Sequence, residues 1–138
     1  MGALLGMKIE ISNNSDSAKQ QIEDACIRAL EKCGLVAEGY AKRMTPVDTG
    51  NLRNSITHEV DTEELAVYIG SNVEYAAYVE LGTGQYTEGG RPTPWVYRDE
   101  EGRYHHTHGQ KARPFLKPAV ANHLETYRKI IEDELENA

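Results

Sequence analysis

Long apolar runs are missing from this sequence. None approaches the roughly 20 residues a membrane helix requires. The opening Met1–Gly6 has neither the basic start nor the apolar length of a signal peptide, and Gly6 breaks a myristoylation pattern that needs Ser or Thr there. These absences lead us to expect a cytoplasmic protein away from membranes. Cysteine is scarce as well. Cys26 and Cys33 stand seven apart in a predicted helix, about 10 Å along its axis, beyond the roughly 7 Å a disulfide can span. They read as two small buried hydrophobes, with no further zinc ligands nearby. Positive charge is also short: 15 Lys and Arg meet 22 Asp and Glu, a net charge of −7. Tight sequence-independent DNA binding comes from Lys and Arg displacing counterions, so an acidic chain is a poor candidate for it.

The 138 residues suit one domain, and 39% hydrophobic with 27% charged residues is a globular balance. The charge is unevenly spread. Residues 1–44 balance to zero. Residues 45–82 set Arg53 alone against Asp48, Glu59, Asp61, Glu63, Glu64, Glu74 and Glu80, net −6. Residues 83–114 are net +1 and include His105, His106 and His108.

Alternation over Met7–Ser12 predicts a short strand, with residues 1–6 a flexible extension before it. Asn13–Asp16 supply N-cap residues for a long helix. In it Ala18, Ile22, Ala25, Ala29, Cys33, Val36, Tyr40 and Met44 recur every three or four positions. Gly34 and Gly39 each cost that helix about 1 kcal/mol against Ala, which implies a close neighbour or a bend. Pro46 ends it. Val47–Gly50 then turns into a short helix over Asn51–Ser55 that Asp48 or Thr49 caps, with Arg53 placed to pair with one of the surrounding acids. Ile56–Val60 and Leu65–Gly70 read as antiparallel strands, and Val73–Leu81 as a short helix closed by Gly82. A Gly- and Pro-rich loop follows. Trp95–Arg98 and Arg103–His106 then flank Asp99–Gly102 as a hairpin. Leu116, Val120, Leu124, Tyr127, Ile131 and Leu135 step along one last helix with Pro118 in its first turn, and the sole phenylalanine, Phe115, anchors it to the sheet. The expected fold is α+β. A small, mainly antiparallel sheet packs against a long N-terminal and a C-terminal helix, and a hairpin arm protrudes over residues 86–110.

No plausible catalytic set emerges. His106 and His108 point to one face of an extended strand, so a two-histidine metal site with Asp99 or Glu100 across the turn is conceivable. It lacks the further convergent ligands a site needs. Ser55 and Ser71 sit in capping or turn contexts, with no nucleophile elbow. Glu74 and Glu80 read as a solvated helix face, and Gly82-Thr83-Gly84 lacks the Lys and frame of a phosphate loop. Aromatics tell more. Tyr75, Tyr78, Tyr86, Trp95, Tyr97 and Tyr104 crowd into thirty residues beside Arg98 and Arg103, the residue types enriched where proteins meet.

Three separated segments carry a family resemblance: Pro46-Val47-Asp48-Thr49-Gly50 with Leu52, Arg53, Ser55 and Ile56; Val73 through Tyr75, Tyr78, Glu80, Gly82 and Thr83; and Arg113-Pro114-Phe115-Leu116 with Pro118 and Ala119. In this order they resemble the head–tail joining, tail-completion or minor tail proteins of long-tailed bacteriophages and prophages. The resemblance runs from about Ala18 to about Leu135. It implies a virion protein of the neck, present in the host cytoplasm during assembly, that acts as a ring around the DNA path. Its partners would be copies of itself, head-connector proteins and tail-tube proteins, with no membrane, no cofactor, no metal and no catalytic residue. Asp48, Thr49, Gly50, Leu52, Arg53, Tyr75, Tyr78, Glu80, Gly82, Arg113, Pro114 and Phe115 would build the scaffold. Tyr86, Trp95, Tyr97, Arg98, Arg103 and Tyr104 would form an interaction arm that docks on the acidic 45–82 surface of a neighbour. DNA would pass an acidic wall without sticking. The rival reading is a small metal-dependent hydrolase or nuclease built on His105, His106 and His108. Stoichiometric zinc or manganese, lost on His106→Ala and His108→Ala, would favour it.

Overall fold

Around a single long helix, the sequence lays down a sheet, two short helices and a C-terminal pair of helices. The computed structural model describes residues 3–10, 16–46, 50–87, 89–90, 95–98 and 101–138. In chain order the elements are β1 (Ala3–Lys8), α1 (Asp16–Met44), α2 (Gly50–Ser55), β2 (Thr57–Asp61), β3 (Ala66–Ser71), α3 (Ala76–Leu81) and a 3-10 turn (Gly84–Tyr86). There follow β4 (Trp95–Arg98), β5 (Tyr104–Thr107), α4 (Lys117–Ala121) and α5 (Leu124–Glu136). The fold is α+β, as the sequence pattern predicts.

The sheet is fully antiparallel, in the order β1-β3-β2. Its centre, β3, pairs Ile69 with Leu5 on one side and His58 on the other, and Val67 with Met7 and Val60. These residues face α1 and the core. Strand β1 begins at Ala3 and not at Met7, so the stretch expected to be an extension is in the ladder from Ala3 onward. Leu5 and Met7 explain the difference: register on Ile69 and Val67 gives both an apolar face to fill. β2 and β3 are joined by Thr62–Leu65, where Asp61 Oδ1 accepts the N–H groups of Glu63 and Glu64 at 3.0 Å. This side chain closes the turn that the sequence suggested.

α1 buries Ala25, Cys26, Ala29, Leu30, Cys33, Ala37 and Ala41 completely or nearly so, while Met44 is exposed. The buried stripe is thus shifted toward Cys26, Leu30, Ala37 and Ala41 from the one the spacing suggested. Small residues dominate it because the sheet comes close. A Cβ built at Gly34 would lie 2.5 Å from the His58 ring and 2.9 Å from Val67 Cγ2, whereas at Gly39 the nearest atom is 3.9 Å away. Gly34 has the close neighbour expected; Gly39 does not. Both cysteines are free and buried, and burial pushes the Cys33 thiol up to about 11. Past Met44, Thr45 Oγ1 donates to Ala41 O at 2.7 Å and ends the helix before Pro46.

The predicted single C-terminal helix is two. The chain leaves helical geometry at His123 (φ −130°, ψ 27°), between α4 and α5. The His123 ring stacks on Tyr40 of α1, centroids 3.5 Å apart and planes within 6°, and the Tyr127 hydroxyl donates back to Ala119 O. Asn and His are weak helix formers, so these contacts decide the break. The break also turns α5: Leu124 and Leu135 are exposed and Glu134 is buried. Arg28 Nε at 3.3 Å and Lys32 Nζ, one turn apart on α1, hold the Glu134 carboxylate. The Lys32 hydrogen bond, with Arg28 behind it, outweighs burial and lowers its pKa. Phe115, Leu116, Ala119, Val120 and Tyr127 complete the core with Leu52, Ile56 and Val79. No described helix is long and apolar enough to cross a membrane.

Candidate functional site

The second and third sequence segments meet at one side chain. Glu80, on the last turn of α3, accepts the Phe115 N–H (2.7 Å) and the Leu116 N–H (3.0 Å) on Oε2 and the Lys117 N–H (2.8 Å) on Oε1. These amides open α4, where no preceding carbonyl can receive them. A carboxylate there also meets the positive end of the backbone dipoles. Glu80 is therefore a half-buried clamp and not part of a solvated face. Arg113 N–H adds a bond to Val79 O at 2.8 Å. Phe115 is completely buried just beyond, as anticipated, while Arg113 and Pro114 are exposed.

Everything between Gly82 and Arg113 leaves and returns at this clamp. Gly82 sits at φ +81°, where a Cβ would lie 2.9 Å from Gln110 O. At Gly109 (φ +114°) a Cβ would collide with Thr83 O. Only glycine lets the two strands of chain pass this closely. Across the gap Thr83 N–H donates to Gln110 O at 2.9 Å, Gln110 N–H to Thr83 Oγ1 at 2.8 Å, and Gln85 N–H to His108 O at 3.1 Å. The Gly-Thr-Gly segment is the foot of the hairpin.

β4 and β5 pair antiparallel as expected, Trp95 with Thr107, Val96 with His106, Tyr97 with His105 and Arg98 with Tyr104. They bond to each other and not to the three-stranded sheet. By strand alternation Val96, Arg98, Tyr104 and His106 share one face, and all four are exposed, Tyr104 at 71%. The Arg98 guanidinium lies 5.9 Å from the Tyr104 ring centre, and Lys111 Nζ lies 6.0 Å from that of Tyr86. Arg103 pairs with Glu101. Asp99 and Glu100 lie outside the described residues. His106 sits on β5 and His108 beyond its end, so the two do not share one strand face. Among the described residues no three His, Cys, Asp or Glu side chains gather to hold a metal ion.

The remaining scaffold positions separate. Leu52 is fully buried and Gly50 begins α2, whereas Asp48 and Thr49 lie outside the described residues. Arg53 is exposed, and no ion pair joins it to an acid among the described residues. Three of the acids in its stretch of sequence are engaged elsewhere: Glu80 holds amides, Asp61 holds its turn, and Glu64 accepts the Tyr68 hydroxyl at 3.2 Å. Tyr75 and Tyr78 face outward, Tyr78 at 58% exposure, with Leu81 at 63% beside them.

One cluster escaped the sequence reading. His58, on the inner face of β2 beneath Gly34, places Nε2 2.9 Å from Glu31 and Nδ1 3.4 Å from Glu38. Burial alone would lower its pKa; the hydrogen bonds and charges of Glu31 and Glu38 outweigh it and raise the value above the ordinary 6.5. The missed signal was the seven-residue spacing of the two glutamates along one helix face.

A family model described as "Bacteriophage HK97-gp10, putative tail-component" matches residues 9–82, 74 of the 138. The chain belongs to this family. As an HK97-gp10-like protein it is a structural component of the phage tail and so a protein of the virion. The matched stretch ends at Gly82, at the foot of the hairpin, and so holds the first segment, the second as far as Gly82, and α1, α2, β2, β3 and α3. No curated protein and no solved structure matches the chain.

Proposed function

We propose that this tail protein completes the tail at the head–tail junction, as a ring around the DNA path, and works through surfaces without a reaction centre. Family membership carries the reading, and the hairpin supports it. An exposed face of Val96, Arg98, Tyr104 and His106 on a doubly anchored foot is suited to reach a neighbouring copy, the head connector or the tail tube. A head-to-tail contact repeated about an axis closes a ring. The acidic 45–82 stretch would let DNA slide past without phosphate binding. The whole chain then forms one domain whose 86–110 segment is the arm.

The test is a nonsense mutation in the gene, followed by electron microscopy of the lysate. Filled heads and finished but unattached tails are expected, joined when purified protein is added. Antibody gold should label the neck of intact particles. Labelling along the tube or at the tail tip, or normal joining without the protein, would overturn the assignment.

A further inference from the structure

The three-stranded sheet has a covered and a bare face. Leu5, Met7, Val60, Val67 and Ile69 point toward α1 and the core. The alternate residues form rungs on the other side: Leu4–Gly70–Thr57, Gly6–Tyr68–Glu59 and Lys8–Ala66–Asp61. Leu4 is 69% exposed there, and Thr57 and Glu59 are exposed. Gly70, Leu4, Tyr68 and Glu59 line a trough of about 140 Å³. The charge of this face and its turn is acidic, with Glu59, Asp61, Glu63 and Glu64 against Lys8.

The hairpin presents the complementary chemistry. Its exposed face holds Val96, Arg98, Tyr104 and His106 and no carboxylate. Arg98 and Tyr104 are directly paired across the ladder, so a cation and a ring arrive side by side. On the sheet, Glu59 and Gly70 are diagonal neighbours on adjacent rungs of the same face, so an acid stands next to the trough within reach of two long side chains.

We propose that the outer sheet face receives the hairpin of a second copy of this chain, with Arg98 against Glu59 and Tyr104 in the trough over Gly70 beside Leu4. Opposite charge fixes the register, and sheet-on-ribbon packing covers apolar surface that the single chain leaves in water. The contact joins two different patches, so it propagates from copy to copy. It rests on the ring reading and names the surface that ring would use.

Paired cysteines test it. The variant Arg98→Cys with Glu59→Cys, treated at high concentration with a short bis-maleimide that spans the length of the replaced ion pair, should give a ladder of covalent dimers and larger species. A control with Arg98→Cys and Lys129→Cys, on exposed α5, should not. The native cysteines are buried and do not compete. A second arm uses charge: Glu59→Arg should abolish association seen by light scattering, and adding Arg98→Glu should restore it. No ladder, an equal ladder in the control, or no rescue by the swap overturns the contact. Neck labelling together with a failed cross-link would sink this docking alone; a cross-link without neck labelling would sink the junction assignment alone.

Discussion

The helix-backed sheet and the hairpin are held by different physics. In the body, Phe115, Leu52, Cys33 and Val67 have no exposed surface and Leu30, Ile69 and Leu116 about 1%. Its cohesion is burial, worth about 1.5–3 kcal/mol for each large side chain. In the hairpin, Val96 is 49% and Tyr104 71% exposed. Among the described residues, four residue pairs and a few amide bonds at the foot hold it, and a lone two-stranded ribbon is marginal in water. Phe115 and Tyr104 lie eleven positions apart, yet one is spent on folding and the other is left in solvent.

The sharpest way to break this contrast is to truncate one ring from each side. Phe115→Ala should cost about 3–5 kcal/mol, and Tyr104→Ala should stay within about 0.5 kcal/mol, both read from urea unfolding. Equal costs would mean that the hairpin folds back into the core. Next in size is the clamp that joins the regions. Glu80→Ala leaves three amides without their acceptor and should cost about 1–3 kcal/mol. Hydrogen exchange should quicken at Phe115, Leu116 and Lys117 before it does in β3; uniform quickening would refute a local role.

Of similar size at most is a glycine comparison inside α1. Gly34→Ala presses on the His58 ring and Val67 and should destabilise by about 1–3 kcal/mol. Gly39→Ala, where the new Cβ makes only an ordinary contact with Arg43, should stabilise by about 0.5–1 kcal/mol. The least effect is expected from pH. The folded-state pKa of His58 is raised, so protonation favours the fold: the contribution is complete below pH 6.5 and fades as pH climbs through the higher folded value. Stability should therefore decline gently just above pH 6.5, and His58→Gln should flatten that slope in melts recorded across the range. A wild-type slope that rises over the same interval would contradict the linkage.

Much of this architecture could be read from local signals. Apolar spacing, Pro46 and Gly82 marked the start or end of α1, β2, β3 and α3 to within about three residues, and the hairpin residues Trp95–Arg98 paired as their pattern implied. Long-range decisions could not be read that way. The C-terminal helix breaks at His123 because Tyr40, 83 positions earlier, offers a ring to stack on. Glu134 is buried because Arg28 and Lys32 await it. Glu80 looked like any surface acid until the chain brought Phe115–Lys117 back to it. The exposed hairpin was legible as composition; the outer face of the sheet was not, because alternation in β1 shows only once Ala3–Lys8 is seen to join the sheet.

The Glu80 clamp and the Thr83–Gln110 foot have a consequence for how such a protein can diversify. Entry and exit of the intervening loop are fastened to each other, so its length hardly enters the folding equilibrium of the rest; doubling a flexible loop adds only about 0.6 kcal/mol. A lineage can lengthen, shorten or exchange that appendage while the fastening residues keep the chassis unchanged.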